Sequence, residues 1–401
     1  MRLIADGLVD REGVSGLAQQ LGYSARQLQR VCMAELGAEP IALARAQRAH
    51  TARLLIETSA LPMSQLAFAA GFSSIRQFND TVREVYANTP SELRRRANQR
   101  RGVPAAGVLV LRLALRTPWH VGGLFGHLAA TAIPGVESWS NGVYWRTLRL
   151  VHGGGVVGLT PHDDHVSCRL ELDDLRDLTA AVSRCRSLLD LDADPVAIDE
   201  ALSGDRTMRK LITQGSGRRI PGTVDAEEWA IRVVLGQQVS TLAARTHAAR
   251  LVTALGEPLA RPYESLTHRF PVAAAIAAAP DELLKMPAHR RNTVRTVARQ
   301  IADGQLDLSP GSDRDQARVQ LHSIAGVGEW TVGQILLRGL GDPDAFFSSD
   351  LGVLGAARDL GIANSARELE LASQRWRPWR GYAAQYLWGH GDHVINSLPP
   401  H

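Results

Sequence analysis

The spacing of apolar and polar residues changes twice along the chain. Up to about residue 97, apolar residues recur every three or four positions, which predicts short amphipathic helices. From Val108 the segments VLVLRLALR, VYWRTLRLV and HVSCRLELDD alternate apolar and polar residues, as strands of a half-buried antiparallel sheet do. From about Leu175 the helical spacing returns and continues with only short loops. The pattern therefore predicts an all-α region, an α+β region and a second all-α region.

The first region contains an internal repeat. VSGLAQQLGYSARQLQR, which starts at Val14, is echoed by MSQLAFAAGFSSIRQFND, which starts at Met63. Each copy is typical of a short helix, a Gly-aromatic-Ser turn and a second helix that begins at a hydroxyl cap. This is the helix-turn-helix pattern, and IALARAQRAHTARLLIET between the copies predicts one linking helix.

The second helix of a helix-turn-helix enters the major groove of DNA. Leu28, Phe78 and Val82 have the spacing of core positions. The polar positions that are candidates for DNA contact are Arg26, Gln27 and Arg30 in the first copy, and Arg76, Gln77 and Asn79 in the second. For each single side chain, an ordinary solvated helix face is the alternative.

The stretch from Leu321 to Asp350, LHSIAGVGEWTVGQILLRGLGDPDAFFSSD, predicts two helices around a tight turn, then a loop that ends in a carboxylate. Gly326 and Gly328 flank Val327, and neither has the Cβ that would keep a partner's backbone at a distance. A glycine turn that opens a helix exposes N–H groups at the positive helix end, which suits a phosphate. The residues whose spacing lets the two helices pack on each other are Ile324, Val327, Thr331, Ile335 and Leu336. This is the pattern of a helix-hairpin-helix, which holds a DNA backbone without reading bases.

Composition excludes several classes of protein. The 401 residues are 45% apolar and 21% charged, as in globular proteins, and the length suggests two or three domains. No apolar run approaches the ~20 residues of a membrane span, and the N-terminus lacks the pattern of a signal peptide. The three cysteines are too far apart for a zinc site, and their odd number argues against a disulfide framework. We therefore expect a cytoplasmic protein without a cofactor and without membrane contact.

Positive charge is concentrated in the first region. The net charge is only +4, but residues 1–102 hold 14 arginines against nine acidic residues, and the remainder is nearly balanced. Arginine suits bidentate contact with phosphate, although genome base composition explains its abundance equally well. Charge alone does not identify a DNA-binding protein.

Several phrases resemble those of known families. GFSSIRQFNDTVREVYANTPSELRR is close to the C-terminal signature of the AraC-type DNA-binding domain. LxxIxGVGxxT, followed by Asp350, resembles the helix-hairpin-helix/Gly-Pro-Asp DNA glycosylases, and LFGHLAATAIPGVE, YWRTL and LGQQVS resemble the AlkA type, 3-methyladenine DNA glycosylase II. The combination resembles the Ada–AlkA fusion proteins, in which a Cys-rich zinc domain that accepts methyl groups usually comes first. Because the chain opens on the first helix of the repeat, we expect that domain to be absent, through loss or through a late start codon.

The resemblance implies a multidomain fold. We expect an all-α AraC-type double helix-turn-helix over residues 1–97 and a linker over 98–107, where arginines pass into GVPAAG. An AlkA-type N-terminal α+β domain with an antiparallel sheet is expected over 108–183. An all-α helix-hairpin-helix glycosylase domain is expected over 184–396.

The resemblance implies that Asp350 is the catalytic carboxylate. Purines alkylated at N3 or N7 carry positive charge, so the base leaves without protonation, and an anion stabilises the oxocarbenium character left on the sugar. The same carboxylate can orient or deprotonate the attacking water. Asp342 and Asp344 are rivals by composition alone, and a helix cap is the alternative role for Asp350. Trp330 stands where lyase members carry a lysine, which implies base excision without strand cleavage.

The resemblance also indicates a base pocket. Trp330 and Trp379 match positions at which the family presents indoles to the base, and electron-rich rings hold cations well. Gln334 replaces a further pocket aromatic, which makes that side of the pocket more polar. The helical spacing of Trp388 favours a core position. Candidates for the pocket wall near the first helix of the α+β domain are Phe125, His127 and Tyr144, each with a core position as its alternative.

Further residues are implied at the DNA interface. Gln238, beside Gln237, holds the position that fills the gap left by an extruded nucleotide. AlkA-type members commonly have an apolar residue there, so a polar helix cap is the alternative. The hairpin residues expected at the DNA backbone are Ile324, Gly326, Val327, Gly328 and Thr331. The family also implies a monovalent cation at the hairpin carbonyls, and no other metal.

Two hypotheses for function follow. The first is a monofunctional DNA glycosylase that excises alkylated purines such as 3-methyladenine and 7-methylguanine in base excision repair. It is fused to a sequence-specific transcription regulator of the adaptive alkylation response. The second is a transcription regulator whose glycosylase half is an inactive DNA clamp. Expected partners are duplex DNA with alkylated bases, promoter DNA and RNA polymerase, and we expect a monomer.

Overall fold

The computed structural model describes residues 2–59, 61–101, 108–391 and 394–399. Of the predicted linker, residues 98–101 continue a helix, and residues 102–107 lie outside the described residues. The chain divides into two compact units. The first comprises Met1–Arg112, Leu148–Leu159 and Ser167–Arg184, and the second comprises Leu113–Thr147, Thr160–Val166 and Cys185–His401.

The N-terminal part of the first unit consists of helices joined by short turns. Its helices are α1 (Arg2–Ala5), α2 (Leu8–Gln20), α3 (Ala25–Leu36), α4 (Pro40–Thr58), α5 (Met63–Ala69), α6 (Ile75–Tyr86) and α7 (Pro90–Arg101). Serine caps begin the second helix of each repeat: Ser24 Oγ accepts from the backbone N–H of Gln27 at 3.2 Å, and Ser74 Oγ from that of Gln77 at 3.1 Å. The predicted double helix-turn-helix with α4 as its linking helix is confirmed.

Apolar side chains of both repeats are buried in the first unit. Phe78 and Val82 of α6 are fully buried, and Phe72 packs edge-on against Phe78 with ring centroids 5.6 Å apart. Leu28 of α3 and Leu55 of α4 are buried as well. The core positions predicted from the helical spacing are therefore confirmed.

A five-stranded sheet follows. Its strands are β1 (Leu109–Ala114), β2 (Glu137–Ser140), β3 (Val143–Arg149), β4 (Gly154–Pro161) and β5 (His165–Leu172), in the order β1-β5-β4-β3-β2. β2 pairs antiparallel with β3 through Asn141 and Gly142, which both have the positive φ that an Asn-Gly hairpin requires. β2 is missing from the sequence prediction, because four residues are too few to show an alternation.

Helices dominate the rest of the chain. They are α8 (Val121–Thr131), which precedes β2, and then α9 (Leu178–Leu188), α10 (Pro195–Leu202), α11 (Arg206–Gln214), α12 (Ala226–Leu235), α13 (Thr241–Leu255), α14 (Ala273–Ala277), α15 (Ala288–Ala302), α16 (Arg314–His322), α17 (Glu329–Gln334), α18 (Leu351–Asp359), α19 (Ala366–Ser373) and α20 (Arg380–Trp388). No helix among the described residues is long and apolar enough to cross a membrane.

The expectation of helices alone after Leu175 is wrong at one place. The strands β6 (Glu257–Tyr263) and β7 (Leu266–Arg269) form a two-stranded antiparallel sheet. Most of β6 is exposed, so its residues carry no alternation of buried and exposed positions from which a strand could be predicted.

The helix-hairpin-helix is present as predicted. α16 ends at His322, a tight turn follows, and α17 begins at Glu329. α17 then widens into a π-helical turn, Ile335–Gly339, before the loop that leads to α18. Leu321 and Val332 are fully buried, so the two helices pack on a common core.

Two arginines and two glutamates form a buried network in the second unit. Arg146 donates to Glu137 at 3.2 Å and to Glu228 at 2.9 Å, and Arg232 donates to the same two carboxylates at 3.0 and 2.9 Å. Tyr144 donates to Glu137 at 2.6 Å. Burial alone would raise the pKa of Glu137, but Arg232 and Arg146 outweigh it and lower that pKa to about 2. Each buried charge is therefore neutralised by a partner, and the network joins β2 and β3 to α12.

We expect Glu228→Met to destabilise the second unit by about 3–5 kcal/mol, because two buried guanidinium groups lose a carboxylate. The matched control is Glu257→Met, since Glu257 is half-exposed and pairs with Arg269 at the surface; it should cost at most about 1 kcal/mol. All eight tryptophans lie in the second unit, so denaturant unfolding followed by tryptophan fluorescence measures that unit alone. Equal losses in the two variants would contradict a structural role for the network.

Candidate functional site

Asp350 precedes α18 and caps it. Its Oδ1 accepts hydrogen bonds from the backbone N–H groups of Gly352 and Val353, both at 3.0 Å. The capping role considered as an alternative is thus real in the structure. The N-terminal end of a helix also favours a negative charge at this position.

Two indole N–H groups donate hydrogen bonds to the carboxylate of Asp350. Trp330 Nε1 donates to Oδ2 of Asp350, and Trp388 Nε1 donates to Oδ1, each at 2.8 Å. Trp330 lies in α17 and Trp388 ends α20, so two helices far apart in sequence converge on one side chain. Together with the backbone donors, they orient the carboxylate through four N–H groups, three on Oδ1 and one on Oδ2.

Asp350 borders a cavity of about 470 Å³ within the second unit. Trp330, Trp388, Trp229 and Gln334 line the cavity beside it. The volume lies in the range of small-molecule sites and accommodates two fused rings. Among the described residues, no three His, Cys, Asp or Glu side chains are grouped as a metal site.

Arg338 lies in the wall of this cavity between two indoles. Its guanidinium carbon is 5.4 Å from the ring centroid of Trp229 and 5.2 Å from that of Trp388. Arg338 Nη1 donates to Nε2 of His127. Burial lowers the pKa of Arg338 to about 10, and the negative charge of Asp350 opposes that shift. Burial and the neighbouring arginines lower the pKa of His127 well below its ordinary value, so its ring is neutral and accepts this bond.

Three of the residues predicted for the base pocket line the cavity: Trp330, Gln334 and His127. The backbone carbonyl of Gln334 accepts a hydrogen bond from Trp229 Nε1 at 3.0 Å, and this bond holds the indole of Trp229 against α17. Gln334 is part of the cavity lining, at the side of the pocket that was expected to be more polar.

The other three lie outside the lining, which corrects their predicted place in the pocket. Trp379 directly precedes α20 and packs edge-on against Tyr382, with ring centroids 5.8 Å apart. Phe125 is fully buried against aromatic neighbours, and Tyr144 is fully buried as a donor to Glu137. For Phe125 and Tyr144 this is the core position named as the alternative.

The lining residues that were not assigned to the pocket from sequence include Trp388, Arg338 and Trp229. The helical spacing of Trp388 favours the core, but its place at the C-terminal end of α20 brings its indole to Asp350. Arg338 carried a usable signal, because it is a single cation inside the apolar run ILLRGL. A buried cation in such a run requires a specific partner or a function.

The hairpin turn depends on Gly326. Its φ is +87°, and a Cβ at this position would lie 2.2 Å from Thr293 Oγ1. Thr293 Oγ1 donates to the carbonyl of Ala325 at 3.0 Å, so α15 supports the turn from one side. Gly328 has ordinary extended backbone, and no atom lies within 4 Å of the place of its Cβ. The monovalent cation expected at the hairpin carbonyls stays a prediction.

The side chains of the hairpin face inward. Gln237 Nε2 donates to the carbonyl of Gly326 at 3.0 Å and to Thr331 Oγ1 at 2.8 Å. Ile324, Val327 and Thr331 are buried. These side chains therefore support the turn from inside, and the contact of the hairpin backbone with DNA stays a prediction.

Gln238 is exposed and has a left-handed backbone, with φ +54°. A positive φ is uncommon for a residue with a Cβ, and such strain is concentrated in functional loops. Ser240 caps α13 by accepting from the N–H of Ala243, so the capping role considered for Gln238 belongs to Ser240. Insertion of Gln238 into a gap in DNA stays a prediction.

The DNA-contact candidates of the first unit lie on α3 and α6. The side chains of Gln27 and Gln77 form hydrogen bonds within their own turns. Their Oε1 atoms accept from the backbone N–H groups of Ser24 at 3.0 Å and Ser73 at 3.3 Å, respectively. The remaining candidates with exposed or half-exposed side chains are Arg26, Arg30, Arg76 and Asn79. The three arginines are all exposed, and Asn79 is half-exposed.

Comparison with protein families matches two parts of the chain. Residues 17–96 match the model of a helix-turn-helix domain, and residues 110–225 match the model of the AlkA N-terminal domain. The chain is 54% identical to the probable bifunctional transcriptional activator/DNA repair enzyme AlkA of Mycobacterium tuberculosis strain H37Rv, over 100% of its own length and 81% of that protein. It is 31% identical to DNA-3-methyladenine glycosylase 2 of Escherichia coli strain K12, over 68% of this chain and 94% of that protein.

The fold is similar to that of a solved structure. A 3-methyladenine DNA glycosylase from Archaeoglobus fulgidus aligns with a TM-score of 0.59 and 22% identity, over 70% of this chain and 96% of that chain. At this identity the likeness concerns the fold alone.

We expect Gly326→Ala to lower the unfolding free energy of the second unit by about 2–4 kcal/mol, through the positive φ and the contact with Thr293. Gly328→Ala is the matched control two residues away, and it should change the free energy by at most about 1 kcal/mol. Fluorescence-detected denaturant unfolding distinguishes the two. A destabilising Gly328→Ala beside a neutral Gly326→Ala would refute this account of the turn.

Proposed function

The chain belongs to the AlkA family of DNA-3-methyladenine glycosylases and carries an AraC-type helix-turn-helix domain ahead of the glycosylase region. We propose that the cavity at Asp350 is the site at which this protein excises bases. The protein is a DNA glycosylase that hydrolyses the N-glycosidic bond of alkylated purines. The observation that carries the site assignment is the convergence of Asp350, Trp330 and Trp388 on one cavity.

The two carboxylate oxygens of Asp350 differ in how many further hydrogen bonds they can accept. Oδ1 accepts three hydrogen bonds, from Gly352, Val353 and Trp388, whereas Oδ2 accepts one, from Trp330. We assign to Oδ2 the contact with the attacking water, because it retains acceptor capacity. The carboxylate stabilises the positive charge that develops on the sugar as the base leaves, and the four donors fix it before the reaction begins.

The reaction ends at base release. A lyase step would need an amine that forms a Schiff base with the sugar. The chain has two lysines, Lys210 and Lys285, and neither lines the cavity. This supports a hydrolytic, monofunctional glycosylase, with Trp330 in place of the lysine.

We propose that the N-terminal domain recognises promoter DNA. The exposed arginines of α3 and α6 suit contact with phosphates and with guanine edges. As an activator it would contact RNA polymerase, and we propose a monomer acting in the cytoplasm. The three free, buried cysteines fit a reducing compartment. An inactive DNA clamp would not require a carboxylate that four donors orient beside a cavity.

We expect Asp350→Asn to lower the release of 7-methylguanine from duplex DNA by about 100-fold or more, because the anion beside the sugar is lost. Asp342→Asn is the control: Asp342 Oδ1 accepts from the N–H of Asp344 at 3.1 Å, a bond that asparagine keeps, so release should be retained. Single-turnover excision measures both, and duplex binding by Asp350→Asn should persist. Undiminished release by Asp350→Asn would overturn the site assignment.

A second pair of variants tests which tryptophan belongs to the site. Trp388→Phe removes the N–H donor to Oδ1 and should slow base release about tenfold, the worth of one hydrogen bond to a charged group. Trp379→Phe should change the rate by about twofold at most, since Trp379 does not line the cavity. If Trp379→Phe caused the larger loss, the pocket would have to be reassigned.

A further inference from the structure

Three basic side chains of the second unit form a cluster outside the excision cavity. They are His247 and Arg250 on α13 and Arg290 on α15, and we call them the basic cluster. His247 and Arg250 are three residues apart, so they lie on one face of their helix. Burial lowers the pKa of His247, and the positive charges of Arg250 and Arg290 lower it further. The three side chains are therefore close neighbours.

The basic cluster lacks acceptors within the protein. Nδ1 of His247, Nη1 of Arg250 and Nε of Arg290 are each buried without a hydrogen-bond partner. In the described ranges of the chain, no carboxylate forms an ion pair with any of the three. Buried polar atoms without a partner are uncommon in native proteins. An acceptor that comes from another molecule would satisfy them.

Arg290 is the most deeply buried member of the basic cluster, with 8% of its surface exposed. Its Nη2 donates to the backbone carbonyl of Leu235 at 3.0 Å, at the C-terminal end of α12. Burial also lowers the pKa of Arg290. Since a carbonyl carries no net charge, this bond leaves the charge of the guanidinium uncompensated.

The basic cluster adjoins two elements that are expected at DNA. Leu235 comes directly before the loop that carries Gln237 and Gln238. Thr293 lies one helical turn after Arg290 on α15 and supports the hairpin turn. Because residues three apart share a helix face, the side of α15 that carries Arg290 is also the side at the hairpin.

An anion can reach the basic cluster from solvent, because the side chains of His247 and Arg250 are half-exposed outside their buried atoms. Guanidinium groups bind phosphate oxygens through charge-assisted hydrogen bonds, and an imidazole adds a further polar contact. The anion that the neighbouring loop and hairpin would bring to this place is a backbone phosphate of DNA.

We propose that His247, Arg250 and Arg290 form a second phosphate site, which holds one backbone phosphate of the duplex other than the phosphate at the hairpin. The inference rests on the proposed function, because the duplex bound here is the one from which the base is excised. The contact is the same before and during base release, so it strengthens binding without changing the rate of the chemical step.

Arg250 is the residue to change, since its side chain is half-exposed and forms no hydrogen bond or ion pair with the described residues. Arg290 is less suitable, because its bond to Leu235 also supports α12. Single-turnover release of 7-methylguanine is measured with the full-length protein at a series of protein concentrations. The series gives a half-saturating concentration and a maximal rate, and it is repeated at several salt concentrations.

We expect Arg250→Gln to raise the half-saturating concentration about fivefold at low salt. The slope of its logarithm against the logarithm of salt concentration should fall by about 1, as for one lost phosphate contact. The maximal rate should stay within about twofold of wild type, because the contact is uniform along the reaction. Arg250→Lys keeps the charge and should lie closer to wild type than Arg250→Gln.

Arg299→Gln is the matched control. Arg299 is exposed near the C-terminal end of α15, so its substitution removes the same charge without touching the basic cluster. Its half-saturating concentration should stay within about twofold of wild type, because an exposed charge remote from the site is screened by salt. Tryptophan fluorescence should show the same unfolding transition for all three variants.

Duplexes in which one phosphate at a time is replaced by an uncharged methylphosphonate locate the contact. At one position, the replacement should weaken binding by the wild type about fivefold and binding by Arg250→Gln not at all, because the two changes remove the same interaction. This position should differ from those at which both proteins lose affinity equally.

The remaining outcomes overturn the proposal. They are equal losses in Arg250→Gln and Arg299→Gln, equal losses in Arg250→Gln and Arg250→Lys, and additive losses at every phosphate. If inorganic phosphate raised the unfolding midpoint of the wild type but not of Arg250→Gln while the losses were additive, the cluster would bind a free anion instead of DNA. A wild type that releases no 7-methylguanine would refute the proposed function, which is a distinguishable result.

Discussion

The packing of three helices in the glycosylase region depends on hydrogen bonds to the carboxylate of Asp350. Its donors come from three helices: the indole of α17, the indole of α20 and the first backbone amides of α18. A shift of any of these helices would break at least one hydrogen bond to the carboxylate, and a hydrogen bond to a charged group contributes about 1.5–3 kcal/mol. The anion is thus held by the fold before any substrate arrives. The same bonds also join the hairpin to the C-terminal end of α20.

The second constraint is the amount of positive charge placed around this anion. The network of Glu137, Glu228, Arg146 and Arg232 is balanced and therefore structural. Arg338 is not balanced in the same way, since its neighbours are indoles and a neutral histidine. A desolvated cation without an acidic partner reduces stability, and such strain is usually found at functional sites. Arg338 also lies in the π-helical turn Ile335–Gly339, and π-helical turns are frequent at functional sites.

Periodicity and turn chemistry predicted much of the fold. The tandem helix-turn-helix, the strands with clear alternation and the hairpin between α16 and α17 are local features, because each is encoded within about 30 residues. The exposed strand β6 and the four-residue strand β2 carried no such signal, and only their pairing defines them. The pocket was harder to predict. Trp379 and Trp388 both lie in RWRPWRGYAAQYLW, and which indole reaches Asp350 depends on how α20 packs, a tertiary property that spacing does not encode.

The two hydrogen bonds of Gln237 have a mechanical consequence. They tie the loop between α12 and α13 to the hairpin, so Gln238 at the tip of that loop keeps a fixed separation from the turn at Gly326. If the hairpin holds a phosphate and Gln238 enters the duplex, as the sequence predicts, this separation sets how far from that phosphate the side chain of Gln238 can reach. Straight and sharply bent duplexes offer different spans between those two points. Under that prediction, insertion of Gln238 would depend on the local bend of the DNA.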